Sequence, residues 1–453
     1  MTKAIAIIVL AAGKGTRMKS SMPKVMHKVA GKTLISYAMQ SVCAILPKSV
    51  TLVIGEGMDE VVKEASHAFP SVSAVVQKNR LGTADAVKSA INGNSELNNF
   101  NGTIIVIYGD HPFIKPQTLS IMIEKLQKRN NASVVVLGFN PENPGEYGRL
   151  VINKDGELDK IVESRDANEE QKKINFCNSG VMAIRGRILP DLLKEVKNNN
   201  AKKEYYLTDI VAIARDRNLR CFVAEASERE VMGINSQKER TLAEKTAQEE
   251  LRDRALENGA VLIAPETVFL SDDTEIGEGA IIHPYVVFGP GAKIEAEAVI
   301  KSFSHIEGAL IKKSATVGPF ARLRPGAEVG SKAKIGNFVE IKESVIGDGA
   351  KISHLTYIGN AEIGDEANIG AGTVTCNYDG YHKYKTEIGE NAFIGSNSSL
   401  VAPVKIGKGA IIGAGSTITK DVEDDAMAFS NAKQKNMPDR AAIYKKEKKS
   451  NKK

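Results

Sequence analysis

The chain has 453 residues, four cysteines and a formal net charge of +6, enough for about three domain-sized units with more than one large core. Cys43, Cys177, Cys221 and Cys376 form no CxxC pair or regular framework, which excludes a disulfide scaffold and a Cys/His metal cluster and points to a cytoplasmic protein. The charge invites a nucleic-acid reading that its location excludes: nine basic and two acidic residues from Lys433 to Lys453 carry +7, leaving the other 432 residues at −1, so the basic run is a solvated, disordered tail.

The chain opens with an apolar run, Ala4 to Ala12, followed by Gly13, Lys14, Gly15, Thr16 and Arg17 where a secretory leader would carry a small-residue cleavage site, so it reads as a buried strand. No stretch approaches the length of a membrane span, and no membrane insertion is expected. Ala4 to Leu10, Val50 to Ile54, Ser73 to Val76, Thr103 to Tyr108 and Ser133 to Leu137 read as strands. Leu34 to Leu46, Met58 to Ala68, Ala84 to Ile91 and Pro116 to Lys128 read as helices between them. The alternation predicts a parallel α/β sheet, whose ligands bind beyond the carboxyl ends of the strands, at Leu10 to Arg17 and Tyr108 to Asp110.

The run Leu10 to Met18, with Pro23-Lys24 shortly after, is a glycine-rich turn leaving a buried strand. Glycines let backbone N–H groups approach a phosphate, and Arg17 and Lys24 supply positive charge. The third glycine of a dinucleotide fingerprint is absent at Met18 and no GK[ST] follows, so neither the Rossmann nor the Walker pattern fits. Alone, such a turn is equally a plain strand-to-helix connection.

Ser236 and Glu239 form a capping-box pattern ahead of a run without Gly or Pro until Gly259, which predicts a long connecting helix. Its charge density, in Glu249, Glu250, Arg252, Asp253 and Arg254, reads as a solvated spacer; the alternative is an ordinary last helix of the first domain.

From Ile276 to Ile418 a bulky apolar residue recurs every sixth position with few slips, and a small one such as Ala280, Ala292, Ala333 or Ala367 often lies two before the next. A period of six excludes an amphipathic helix and predicts a β-solenoid with three short strands per coil, both residues pointing inward. Residues eighteen apart then stack roughly 4.8 Å apart in successive coils. Arg324 and Lys342 are so related, and Tyr357 lies on the same flat one coil later, with His354 at the corner leading onto it. A lone corner histidine is more often structural, but two cations and a phenol beside it suit a phosphate monoester, and an imidazole suits proton removal from an attacking amine. Residues Cys376 to Glu387 break the repeat and read as an ejected, functional loop.

Leu10 to Met18 with Pro23-Lys24, Gln77 with Leu81-Gly82-Thr83-Ala84, and Tyr108-Gly109-Asp110 resemble the sugar-nucleotide pyrophosphorylases. Adding His354-Leu355-Thr356-Tyr357 and the run from Gly370-Ala371-Gly372-Thr373 to Cys376-Asn377-Tyr378-Asp379-Gly380, nearly the whole chain resembles one bacterial family. That family comprises the bifunctional N-acetylglucosamine-1-phosphate uridylyltransferases/glucosamine-1-phosphate N-acetyltransferases. The likeness implies an α/β nucleotidyltransferase (Rossmann-like) domain over 1–235, a connecting helix over 236–259, a left-handed parallel β-helix of hexapeptide repeats over 260–432 and a basic tail over 433–453. It further implies a cytoplasmic homotrimer acting on small molecules and making UDP-N-acetylglucosamine for peptidoglycan and lipopolysaccharide, with 1–235 alone keeping uridylyl transfer. Two rival readings keep only the pyrophosphorylase, with an oligomerising solenoid, or make the chain a non-catalytic interaction protein.

By the same resemblance Ala12, Gly13, Gln77 and Gly82 hold the uracil of UTP and Thr83 lines that pocket, with Leu10, Ala11 and Gly109 completing the substrate-binding set. Arg17 and Lys24 meet the triphosphate in catalysis. Tyr108, Gly148, Glu163 and Asn178 hold the amino sugar, and Asp110 and Asn235 coordinate Mg²⁺, with Asn235 also counted at the substrate. In the solenoid His354 is the base, Arg324, Lys342, Tyr357, Asn368 and Lys383 bind glucosamine-1-phosphate, and Ala371, Asn377, Tyr378, Ser396 and Ala414 contact acetyl-CoA. Two positions depart from the family pattern. His111 stands where an aliphatic residue is usual. Asn431 stands where an arginine is usual; Lys433 or Lys435, within about 14 Å of extended chain, takes its place, or the two simply begin the solvated basic tail.

Overall fold

In the computed structural model residues 4–129, 132–430 and 433–450 are described. The chain divides into two compact units, Met1–Gln248 and Glu249–Lys453.

The first unit is built on a twisted sheet whose strands run in the order Arg220–Glu225, Ala132–Phe139, Cys177–Arg185, Gly102–Tyr108, Ala4–Leu10, Ser49–Ile54, Ser73–Val76. Ala4–Leu10 lies near the centre, parallel to both neighbours. Its alternate residues feed the two apolar layers, Ile7 and Val9 to one and Ala6, Ile8 and Leu10 to the other; burial on both faces is why it reads as a continuous apolar run. Helices Leu34–Cys43, Asp59–Ala68, Thr83–Gly93 and Pro116–Lys128 occupy the places expected of them.

The all-parallel expectation needs correction. Cys177–Arg185 runs antiparallel to both Gly102–Tyr108 and Ala132–Phe139. Its signal is broken by Asn178-Ser179-Gly180, where the register shifts between Asn178 and Met182, a bulge that interrupts strand alternation.

The connecting helix spans Gln237–Glu257. Ser236 Oγ accepts from Glu239 N at 3.2 Å, but the Glu239 carboxylate accepts from Asn235 N at 2.6 Å, one residue before the helix cap. The helix is not a solvated spacer along its whole surface: Ala243, Ala247, Leu251 and Ala255 are buried. These apolar residues recur every fourth position, a stripe that the surrounding charges hide in composition.

The second unit is the solenoid, three parallel sheets that take up every third strand in turn. Leu323 pairs with Ile341, and Ile341 with Ile358, so coils of eighteen and seventeen residues alternate there. Inward positions such as Ile300, Val317, Ile335 and Ile352 and the small Ala280, Ala333 and Ala367 are buried as the repeat requires. On one corner Tyr285, Phe303, Phe320 and Phe338 stack ring on ring at 5.0–5.2 Å between centroids, all with positive φ. The tail is not wholly irregular: Arg440–Ser450 is helical, as its run of strong helix formers favours, and Arg440 to Lys449 are exposed. Among the described residues no helix is long and apolar enough to cross a membrane.

Candidate active sites

At the carboxyl end of Ala4–Leu10 a cleft of about 450 Å³ opens, lined by Leu10, Ala11, Ala12, Gly13, Lys24, Gln77, Gly82, Thr83, Tyr108 and Asp110 among others. Two glycines shape it. Gly15 has φ +60, and a Cβ there would lie 2.9 Å from Lys24 Cβ; Gly82 has φ +123, and a Cβ there would lie 2.5 Å from Tyr205 O. The turn therefore closes onto Lys24, which larger residues would displace.

The Lys24 ammonium donates to Asp110 Oδ2 and, at 3.0 Å, to Asn235 Oδ1. Residues far apart in sequence thus meet on one cation. Burial pushes the Asp110 carboxyl up, but the charge of Lys24, then of His111, and the Lys24 hydrogen bond outweigh it and hold Asp110 below the usual carboxylate range. Asp110 Oδ1 is buried with no hydrogen-bond partner among the described residues. Two amide or carboxylate oxygens, one carrying charge and an unused lone pair, fit a hard divalent cation.

Beside this lies a second cluster. Asn178 N donates to Gly148 O at 2.8 Å, and a Cβ on Gly148 would sit 3.5 Å from the Glu163 carboxylate, while one on Gly180 would sit 2.6 Å from the Tyr108 ring. Thr208 donates to Glu163 at 3.3 Å. Burial raises the Glu163 carboxyl, opposed by that hydrogen bond. Burial, then the charges of Asp110 and Glu163, raises the Tyr108 phenol. Asp209 is pushed up to about 6 by burial, then by Glu163 and Asp166.

Gly109, packed beneath Ala11, Val25 and Ile35, and Arg17, exposed, are not among the lining residues. Lys14, Asn79, Arg80 and Glu204 are. The first three lie inside or beside the motifs already read; Glu204 carries no local signal. Asp85 holds Gln77 through its Nε2 at 2.7 Å.

In the solenoid, pairing of Ile335 with Ile352, then of Ile352 with Ile369, Ile394 and Ile412 in turn puts the residues two further on in one column: Asn337, His354, Ala371, Ser396 and Ala414. The column unites the candidate base with three of the residues assigned to acetyl-CoA. His354 is exposed, and its Nδ1 lies 2.6 Å from Asn337 Oδ1, which fixes the ring and leaves Nε2 as the outward nitrogen. Sequence reading passed over Asn337, although counting one coil back from His354 would have found it.

Arg324, Lys342 and Gly359 follow Leu323, Ile341 and Ile358 in the adjoining column. Tyr357 is not in that column; it pairs with Glu340, two positions earlier, but its hydroxyl lies over Gly359 and so reaches the same surface. Arg324 is also held by Glu340 at 2.9 Å. The ejected loop returns Lys383 to Glu343 at 3.5 Å, and Lys342 lies 3.7 Å from the same carboxylate. The neighbouring Lys383 ammonium holds the Lys342 ammonium below the usual lysine range. Asn377 is buried and donates to Asn360 Oδ1 at 2.6 Å, whereas Tyr378 is exposed. Asn368 is not on the Arg324 flat: it pairs with Lys351 on the flat that ends at His354. Asn431 lies outside the described residues; Lys433 and Lys435 are exposed.

Residues 7–176 match the MobA-like NTP transferase domain, and residues 273–308 and 385–420 match the bacterial transferase hexapeptide family of six repeats. A protein of Rhodospirillum rubrum named bifunctional protein GlmU is 52% identical over 444 residues, 98% of each chain. The chain belongs to the GlmU family. Proteins of the same name from Zymomonas mobilis and Agrobacterium fabrum are each 48% identical, covering 96% and 97% of this chain and 96% of their own. Membership brings an enzyme with a nucleotidyltransferase half and a hexapeptide acyltransferase half, and the nucleotidyltransferase family suggests a divalent metal requirement.

Proposed function

We propose that the two sites act in turn on one sugar phosphate. The chain is a bifunctional transferase of UDP-N-acetylglucosamine synthesis: it acetylates glucosamine-1-phosphate from acetyl-CoA, then transfers uridylyl from UTP to the N-acetylglucosamine-1-phosphate so formed, releasing pyrophosphate. The product is a cell-wall precursor. What carries this reading is that relatives named as bifunctional align with both halves at once, over 96–98% of their length.

In the cleft, the turn at Ala12 and Gly13 with Gln77 and Gly82 holds the nucleotide base, Thr83 lines its pocket, and Tyr108, Gly148, Glu163 and Asn178 hold the sugar. Asp110 and Asn235 would hold Mg²⁺, which when bound offsets the charge of two anions brought together. Lys24, and Arg17 from the exposed turn, serve the triphosphate. Lys24 leaves its contacts with Asp110 and Asn235 to do so.

In the solenoid, Arg324, Lys342, Tyr357 and Lys383 bind the phosphate of glucosamine-1-phosphate and Asn368 its sugar. Nε2 of His354 takes the proton from the amine as it attacks the thioester, and Asn337 holds the imidazole in the required tautomer. Acetyl-CoA lies along Ala371, Ser396 and Ala414, with Asn377 and Tyr378 from the loop and Lys433 or Lys435 at its phosphates. Because these groups stand on an exposed face, neighbouring copies wall the site, and the enzyme acts in the cytoplasm as a homotrimer.

The test is to mix the full chain with Mg²⁺, glucosamine-1-phosphate, acetyl-CoA and UTP and to follow free thiol and pyrophosphate together. Thiol should precede pyrophosphate, and omitting acetyl-CoA should abolish both. Pyrophosphate from N-acetylglucosamine-1-phosphate and UTP, without thiol release from glucosamine-1-phosphate, would leave the solenoid as an oligomerising module only.

A further inference from the structure

His111 is a buried imidazole that the reaction as derived does not use. It follows Asp110 directly, and its ring stacks on Tyr108 with centroids 5.2 Å apart and planes at 28°. Gly233 makes room for it: a Cβ there would lie 2.8 Å from His111 Nε2 and 3.7 Å from Asn235 Nδ2. The imidazole and the nitrogen end of the Asn235 amide therefore border the same small space, the amide oxygen being the end turned to Lys24. Nε2 lies 3.9 Å from Asp110 Oδ1, too far for a hydrogen bond.

Asp110 Oδ1 is the carboxylate oxygen that Lys24 leaves alone, since the ammonium takes Oδ2 and Asn235 Oδ1. Both Asp110 Oδ1 and His111 Nδ1 are buried without partners among the described residues. The imidazole nitrogen that faces Asp110 Oδ1 is Nε2, on the far side of the ring from the orphaned Nδ1, and a buried carboxylate oxygen without a partner is the kind of unsatisfied group that a ligand completes.

We infer that His111 Nε2 is a third protein donor, and the only nitrogen donor from the protein, to the divalent cation placed at Asp110 and Asn235; the inference rests on that placement. Their 3.9 Å separation is less than twice a metal–ligand distance of about 2.1 Å, so one ion can touch both groups. Stacking on Tyr108 and the space above Gly233 hold the ring in this position. A set of two oxygens is hard and suits Mg²⁺. Adding an imidazole shifts preference toward borderline ions such as Mn²⁺, Co²⁺ and Zn²⁺. This chain should therefore bind Mn²⁺ more tightly, relative to Mg²⁺, than a version with an aliphatic residue at 111.

The test uses the full chain without nucleotide and Mn²⁺ as the probe, read by electron paramagnetic resonance. Bound Mn²⁺ in the wild type should show a directly coordinated ¹⁴N, and histidine-selective ¹⁵N labelling should convert that coupling to ¹⁵N. In His111→Leu the coupling should vanish and the Mn²⁺ Kd rise about tenfold or more, while the Mg²⁺ Kd, from competition, changes by less than about threefold. Asp110→Asn should weaken Mn²⁺ binding in either background. If wild-type Mn²⁺ binding depends on Asp110 but carries no histidine nitrogen, the inference fails and the Asp110 site stands. If Asp110→Asn binds Mn²⁺ as well as the wild type, the placement beneath the inference fails with it. The labelled wild-type spectrum decides the nitrogen question even if His111→Leu does not fold.

Discussion

The two halves of the chain build their sites in opposite ways. In the first unit Lys24, Asp110 and Asn235 are drawn from three remote segments into contact, Lys24 and Asp110 lining a cleft, and Asp110 is buried and charge-paired. In the solenoid His354 stands exposed on an outer surface, beside partly exposed Arg324 and Lys342. The globular sheet encloses its chemistry within one chain. The solenoid fills its interior with aliphatic side chains and can only display chemistry outward, so its site needs walls from elsewhere. Packing supplies desolvation in the first half, and the association proposed above would supply it in the second.

The reciprocal pair of substitutions probes this contrast most strongly. Asp110→Ala should lower uridylyl transfer by roughly 10³-fold or more, since charge stabilisation at such a site is worth several kcal/mol, and spare acetylation. His354→Ala should lower acetyl transfer by roughly 10²- to 10⁴-fold and spare uridylyl transfer. Separate assays of pyrophosphate and free thiol check both; loss of both activities in either folded variant would break the division.

Truncation comes next. Residues 1–248 should retain uridylyl transfer without acetylation. Ending at 235 removes Glu239, which accepts from Asn235 N, Glu244, which accepts from Ala30 N at 2.8 Å, and Gln237, which donates to Met18 O at 3.2 Å. At about 1 kcal/mol each, their loss should lower Tm by roughly 6–12 °C, measured by calorimetry on the two fragments. Equal Tm values would show that the first half closes its site without the helix.

A smaller effect is expected at Asn337. Asn337→Ala removes one hydrogen bond to His354, worth about 1–1.5 kcal/mol, and should lower kcat for acetylation about tenfold with little change in the KM for glucosamine-1-phosphate. A pure KM effect would mean that Asn337 touches substrate instead of orienting the base.

The smallest concerns enclosure itself. Asp209 is raised to about 6 in the fold from an ordinary value near 3.9, so its ionisation opposes folding. That cost is absent below about pH 4, grows as pH rises through about 6, and is complete above it. Asp209→Asn should therefore stabilise the first unit at pH 8 and not at pH 4. The gain should be about 1 kcal/mol, since the partly exposed group is screened and its charge favours the helix start. Urea denaturation at the two pH values measures it, and a gain at pH 4 would contradict the burial argument.

The same contrast explains what the sequence disclosed. Repeat arithmetic puts Arg324 and Lys342 in one column and makes Ile341 inward, because stacking is local and periodic. It could also have delivered Asn337. In the first unit, strands and helices were legible from their apolar patterns and the Gly13 to Gly15 turn from its glycines. The meeting of Lys24 with Asn235 was not, because no local pattern encodes a contact across 211 residues; only family likeness paired Asn235 with Asp110. The bulged strand Cys177–Arg185 escaped for a related reason: its interrupted alternation is stabilised by two neighbours that sequence reading cannot see.

The ring column on the solenoid corner extends one-dimensional behaviour from backbone to side chains. Tyr285, Phe303, Phe320 and Phe338 tie four successive coils, and the next position is Leu355, beside His354. In a solenoid, stability is close to a sum of coil terms and nearest-neighbour couplings. Stacking, worth about 0.5–1.5 kcal/mol per pair beyond burial, strengthens three consecutive couplings and no others. The coils from Tyr285 to Phe338 thus form a stiff block, and His354, the proposed base, stands where it ends. Fraying that begins at the far terminus reaches the column from Ala371 to Ala414 before it reaches Arg324, so the half proposed for the donor loosens first while the half proposed for the sugar phosphate keeps its shape.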